Sequence, residues 1–122
     1  MDNNDQDIKQ LRVTKLSELE SSFQAALNNK NMFINVDGMA VTCGEDAIAN
    51  CLELYSKCGI MSKVEFKDYE NRPHNINREQ LMSIYSALVL WRSNLFKAKW
   101  RYEQQIDSIF EISELKALKF TF

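Results

Sequence analysis

The chain predicts an α+β fold in which long, coiled-coil-like N- and C-terminal helices flank a small antiparallel sheet of two hairpins, with a short central helix packed on it. Three observations carry this prediction. Apolar residues recur at helical spacing at both ends of the 122-residue sequence, two stretches in the middle alternate as strands do, and an Asp37-Gly38 pair supplies the positive φ of a tight hairpin turn. The length fits a single domain, 1–122, organised as an N-terminal helix (1–30), a hairpin-helix-hairpin (31–76), and a long helix plus a short terminal helix (77–122).

The first helix is expected from about Asp5 to Asn29, where Ile8, Leu11, Leu16, Leu19, Phe23, Ala26 and Leu27 mark one apolar stripe. Asp2, Asp5 and Asp7 suit the positive end of its dipole, and Asn28-Asn29-Lys30-Asn31 stops the pattern. Phe33, Ile34, Val36, Val41 and Thr42 then suit two strands around Asp37-Gly38. Glu45 to Lys57 reads as the central helix, with Gly59 as its stop. From Ser62 to Tyr69, Val64 and Phe66 alternate with Lys63, Glu65 and Lys67, and a turn through Pro73 returns the chain as His74-Asn75-Ile76. The two hairpins are expected to join as one sheet.

Asn77 and Gln80 stand at capping-box spacing ahead of the longest element, Arg78 to about Phe110, which contains neither Gly nor Pro. Leu81, Leu88, Leu95, Tyr102 and Ile109 recur every seven residues, with Ile84, Trp91, Ala98 and Gln105 as the second row of a coiled-coil seam. Such a helix is about 50 Å long, more than a small core covers. Val89, Leu90, Phe96, Trp100 and Ile106 lie off the seam, which predicts a homo-oligomer, a dimer or trimer, that buries them. Ser113 is placed to cap a short helix over 114–118, ahead of an apolar tail with Phe120 and Phe122.

Composition narrows the class. With 45% hydrophobic and 26% charged residues the chain has the makeup of a folded soluble protein, and no apolar run approaches the roughly 20 residues of a membrane helix. The acidic, polar start is unlike a secretory signal, so the expected location is the cytoplasm of the producing cell. A net charge of −2 gives no global attraction to nucleic acid. Cys43, Cys51 and Cys58 are spaced by seven, unlike the close pairs of zinc sites, and read as buried free thiols; no metal or cofactor is expected.

Three groups of residues are candidates for function. Leu88, Trp91, Leu95, Trp100, Tyr102, Ile109, Phe120 and Phe122 form either a core against the first helix or a partner-binding stripe. Arg92, Lys97, Lys99 and Arg101, interleaved with Trp91, Trp100 and Tyr102, make a possible basic aromatic face for nucleic acid, although Glu103 is placed to answer Lys99. His74, with Asp68, Glu70 and Glu79 nearby, has the residue types of acid–base chemistry but sits in a turn without a positioned partner, and no nucleophile, zinc or phosphate-loop motif occurs. A non-enzymatic protein is therefore expected.

The blocks "VTCGEDAIANCLELY", "VEFKDYENRPHNIN" and "REQLMSIYSALVLWRSNLFKAKWRYEQQIDSIFEISELKALKF", in that order behind the Asp-Gly hairpin, resemble a domain family of unassigned biochemistry found in tail-fibre and tail-fibre-assembly proteins of tailed bacteriophages. The resemblance covers most of the chain after the first helix. It implies a structural adaptor or fibre-assembly chaperone working through protein–protein contacts, with a tail-fibre or other tail protein as partner, in the host cytoplasm during assembly and in the virion tail. The alternative is a small phage regulator that binds a host protein or nucleic acid through the basic stretch of the long helix.

Overall fold

The computed structural model describes residues 3–122. Its element order is α1 (Asn3–Leu27), β1 (Phe33–Val36), β2 (Met39–Thr42), α2 (Glu45–Cys58), β3 (Val64–Lys67), β4 (Pro73–Ile76), α3 (Arg78–Ser108) and α4 (Ile112–Ala117). The fold is thus α+β, with long helices at both ends and two antiparallel hairpins around α2. Asp2, expected at the start of α1, lies outside the described residues.

The chain divides into two compact units, one of Leu27–Ser93 and one of the segment up to Ala26 with Asn94–Phe122. Helix α3, 31 residues long, gives residues up to Ser93 to one unit and those from Asn94 to the other.

In Leu27–Ser93, Asp37 and Gly38 both take positive φ (52° and 83°), as a two-residue turn between twisted strands requires. This sets the β1–β2 register at Phe33↔Thr42 and Val36↔Met39. The β3–β4 hairpin pairs Val64 with Ile76 and Lys67 with Pro73, burying Val64 and Phe66 and exposing Glu65 and Lys67. The hairpins do not form the single sheet expected from sequence; they are two separate two-stranded sheets. Their strands are four residues each, and the carbonyl of Ala40 on β2 accepts from the N–H of Tyr69, a turn residue, at 2.8 Å. The Tyr69 ring also lies 4.7 Å from that of Phe33.

Both hairpins lean on helices. Val41, Cys43, Ile48, Cys51, Val64, Phe66, Ile76, Leu81, Ile84 and Leu88 make one core, each large side chain contributing about 1.5–3 kcal/mol. Gly59 ends α2, but at φ −69° rather than in a left-handed cap. The capping box at the start of α3 is complete: Gln80 N–H donates to Asn77 Oδ1 and Asn77 N–H to Gln80 Oε1, both at 2.9 Å.

In the other unit, α1 runs antiparallel to the second part of α3, as Arg12 meets Ile109, Glu20 meets Lys99 and Phe23 meets Phe96. Leu19, Ile106 and Leu115 form its fully buried centre, with Leu11, Tyr102, Ile109, Leu118, Phe120 and Phe122 packed around them. Ser113 does not cap α4, which starts from Glu111 without a side-chain cap. Its other end is held by α1: the Lys15 ammonium donates to Lys116 O (3.2 Å) and Leu118 O (2.9 Å), while Arg12 donates to Ile109 O (2.8 Å). The tail docks on α3, since Tyr102 Oη donates to Thr121 O and accepts from Thr121 N–H at 3.0 and 3.1 Å.

Candidate interaction surface

A helix with 3.6 residues per turn keeps a seven-residue row on one side, and the fold closes that side with its own side chains. Leu88 is 0% exposed in the core of its unit, which corrects its assignment as a partner-binding residue. Trp91 packs on the same core, and Tyr102, Ile109, Phe120 and Phe122 pack on the core of the other unit, while Leu95 is half-buried. Of the eight stripe residues, Trp100 is the exposed one, at 55%. Among the off-seam residues Ile106 is fully buried and Val89 and Phe96 are half-buried, whereas Leu90 remains 59% exposed. Beyond α3, Phe110 is 70% exposed under the guanidinium of Arg12.

The basic stretch is divided by ion pairing. Within Leu27–Ser93, Arg92 Nη1 meets Glu45 Oε2 at 3.1 Å. In the other unit Lys99 Nζ lies 2.6 Å from Glu20 and 3.9 Å from Glu103, and 4.8 Å from the centre of the Phe23 ring. The hydrogen bond from Lys99, then that from Gln24, holds the Glu20 carboxyl below its ordinary range. Lys97 and Arg101 are exposed, and neither has an ion-pair partner among the described residues.

Behind Trp100 stands a chain of rings. Its indole lies 6.0 Å from Phe96, which meets Phe23 edge-on at 4.8 Å. Phe23 contacts Phe122 at 5.9 Å, and Tyr102 contacts both Phe122 (5.6 Å) and Phe120 (5.1 Å). All but the tilted Phe96–Trp100 pair are edge-to-face contacts, which add to area burial and fix ring orientation. Trp100 is the solvent-facing end of a packed aromatic series.

The acid–base candidates are engaged in shaping a turn. Asp68 Oδ2 bonds His74 Nε2 at 2.8 Å, and Asp68 Oδ1 accepts from the N–H groups of Glu70 and Arg72, each at 2.9 Å. The His74 bond, followed by the backbone donors, lowers the Asp68 carboxyl below its ordinary value. Glu70 pairs with Arg72 at 2.8 Å, and Glu79 is exposed at the start of α3. Cys43 and Cys51 are buried free thiols, and burial pushes both up to about 11. No group of His, Cys, Asp or Glu among the described residues is arranged to hold a metal ion.

Concavities are found within Leu27–Ser93. A cleft of about 390 Å³ opens at the first turn of α2, between Lys30, Gly44, Asp46, Asn50 and Lys67. An apolar groove of about 190 Å³ runs between α2 and α3 over Cys51 and Leu81, walled by Leu52, Tyr55, Met82 and Tyr85. The Arg78 guanidinium lies 4.4 Å over the Tyr55 ring and donates to its hydroxyl. No helix among the described residues is long and apolar enough to cross a membrane. The chain matches no protein-family model, no curated protein and no solved structure.

The roles of Arg12 and Lys15 are not marked by the apolar spacing of the first helix. The available signal was their place among Ile8, Leu11 and Leu19, where a cation on the buried stripe of a helix demands carbonyl or carboxylate partners.

Proposed function

We propose that the chain is a non-enzymatic protein-binding module of tailed bacteriophages that works at the tail fibre, as a structural adaptor or as a chaperone that covers fibre surface during assembly. The observation that carries the protein-binding part is the large apolar side chains that α3 and its C-terminal neighbour leave in water: Met82 and Leu90 in one unit, Trp100 and Phe110 in the other. Trp in particular is a residue type that anchors interfaces. Engagement of His74 and Asp68 in the β3–β4 turn leaves them a structural task, in keeping with a binding role. The tail-fibre part rests on the resemblance of the three sequence blocks. Association of the chain with itself, as a dimer or trimer, belongs to the same proposal, and the place of action is the host cytoplasm during assembly and then the virion tail.

Co-expression with a tail-fibre protein of a tailed bacteriophage tests this. The expected result is a complex of fixed stoichiometry on size exclusion with mass detection; a chain that elutes alone as a monomer at micromolar concentration contradicts it. The second reading, a regulator that binds a host protein or nucleic acid through the basic stretch, keeps Lys97, Arg101 and Trp100 but loses Arg92 and Lys99 to their carboxylates. For nucleic acid, Lys97 and Arg101, the two cations of this stretch with no ion-pair partner among the described residues, predict a log–log salt slope no steeper than about −2, a weak hold on phosphate.

A further inference from the structure

The second part of α3 turns a mixed face outward. Lys97, Trp100, Arg101 and Gln104 follow at helical neighbour spacing and are all exposed. Around the helix the two cations and Gln104 lie to one side of Trp100, and Phe96 and Glu103 lie to the other. Asp107, two turns further along the row of Trp100, limits the positive region at its C-terminal end.

The fold treats the cations of this helix unequally. Lys99 is answered by Glu20 and Glu103, and Arg92 by Glu45, whereas Lys97 and Arg101 have no such partner among the described residues. The indole beside them rests on Phe96, whose ring meets Phe23 edge-on. An aromatic anchor with an amide and two cations, unpaired among the described residues, along one side of it has the makeup of an interface centre with a polar rim, and its charge asks for a negative partner.

We infer that this face of α3 is a docking site for an acidic protein segment that carries one large apolar side chain, the carboxylates meeting Lys97 and Arg101 and the apolar group resting on Trp100. The inference rests on the protein-binding reading above and names the chemistry of the partner. Nucleic acid is the weaker occupant, since the site offers two cations and one stacking ring, with Glu103 and Asp107 close along the helix.

Selection from a random linear peptide library on the full chain tests it, with Trp100→Ala and the double variant Lys97→Glu/Arg101→Glu as parallel baits. Circular dichroism and thermal midpoints check that the baits fold, and the double variant, changing exposed side chains alone, leaves both cores intact. The expected winners on the unaltered chain are acidic peptides containing Phe, Trp, Leu or Ile, and a synthesised winner binds at least roughly tenfold more weakly to either variant. Enrichment indifferent to the variants, winners without acidic excess, or no enrichment overturns the inference. Binding of an oligothymidine strand, or of phosphatidylserine vesicles, that disappears in the double variant also overturns it. A fibre protein that fails to bind while acidic peptides select on this face defeats the tail-fibre reading and leaves the docking site standing.

Discussion

Lys15 shows how a single side chain decides a local structure. It is 5% exposed, yet its ammonium is placed between Lys116 O, Leu118 O and Glu18, the last at 3.3 Å. The helix it holds, α4, has six residues and no side-chain cap, far below the length at which a helix persists alone. Lys15→Met keeps the apolar stem but leaves both carbonyls unpartnered, so urea denaturation is expected to show a loss of about 1–3 kcal/mol, with faster amide exchange over 112–118. Asp68 gives a pH dependence whose sign is set by its lowered carboxyl. Its ionised form contributes fully above the ordinary value of 3.8, and the contribution fades as pH falls through the lower folded value. Stability measured from neutral pH down to strongly acidic pH should fall less steeply at the acid end in Asp68→Asn than in the unaltered chain. The thiols should separate by burial: iodoacetamide is expected to modify half-buried Cys58 in the native chain well before Cys43 and Cys51, both held protonated by burial.

At the scale of elements, the strongest features are those whose causes lie within a few residues. The Asp37-Gly38 turn and the Asn77–Gln80 box are written in adjacent letters, and both form as written. A Cβ at Gly38 would meet nothing within 4 Å, so Gly38→Ala isolates the backbone cost of φ +83°, about 1–2 kcal/mol by thermal unfolding. Where causes are distant, local signals misled. Two strand pairs with matching alternation suggested one sheet, but nothing local tells that Tyr69 of a turn, rather than a strand, would take the Ala40 carbonyl. Ser113 looked like a cap, yet α4 is secured from α1, about a hundred residues earlier, by a cation that apolar patterning passes over. The candidate stripe was legible as a set of residues, while its division into core and surface was not: that depends on Phe23 and the tail, which wrap Phe96 and Tyr102 and leave Trp100 out.

Across the whole molecule, α3 serves two cores in succession, with Leu81, Ile84 and Leu88 in one and Ile106 in the other. Leu88→Ala and Ile106→Ala should each cost about 2–5 kcal/mol, with the rise in amide exchange centred on the unit that holds the substitution. The same helix that satisfies its seven-residue seam within the chain leaves Trp100 in water, and the account holds that another protein covers it. Collisional quenching of Trp100 by acrylamide, in a Trp91→Phe background and with or without the co-expressed tail-fibre protein, reads this most directly. The account predicts ready quenching in the chain alone and strong protection in the complex; equal quenching in both, from a chain that stays monomeric, would contradict it.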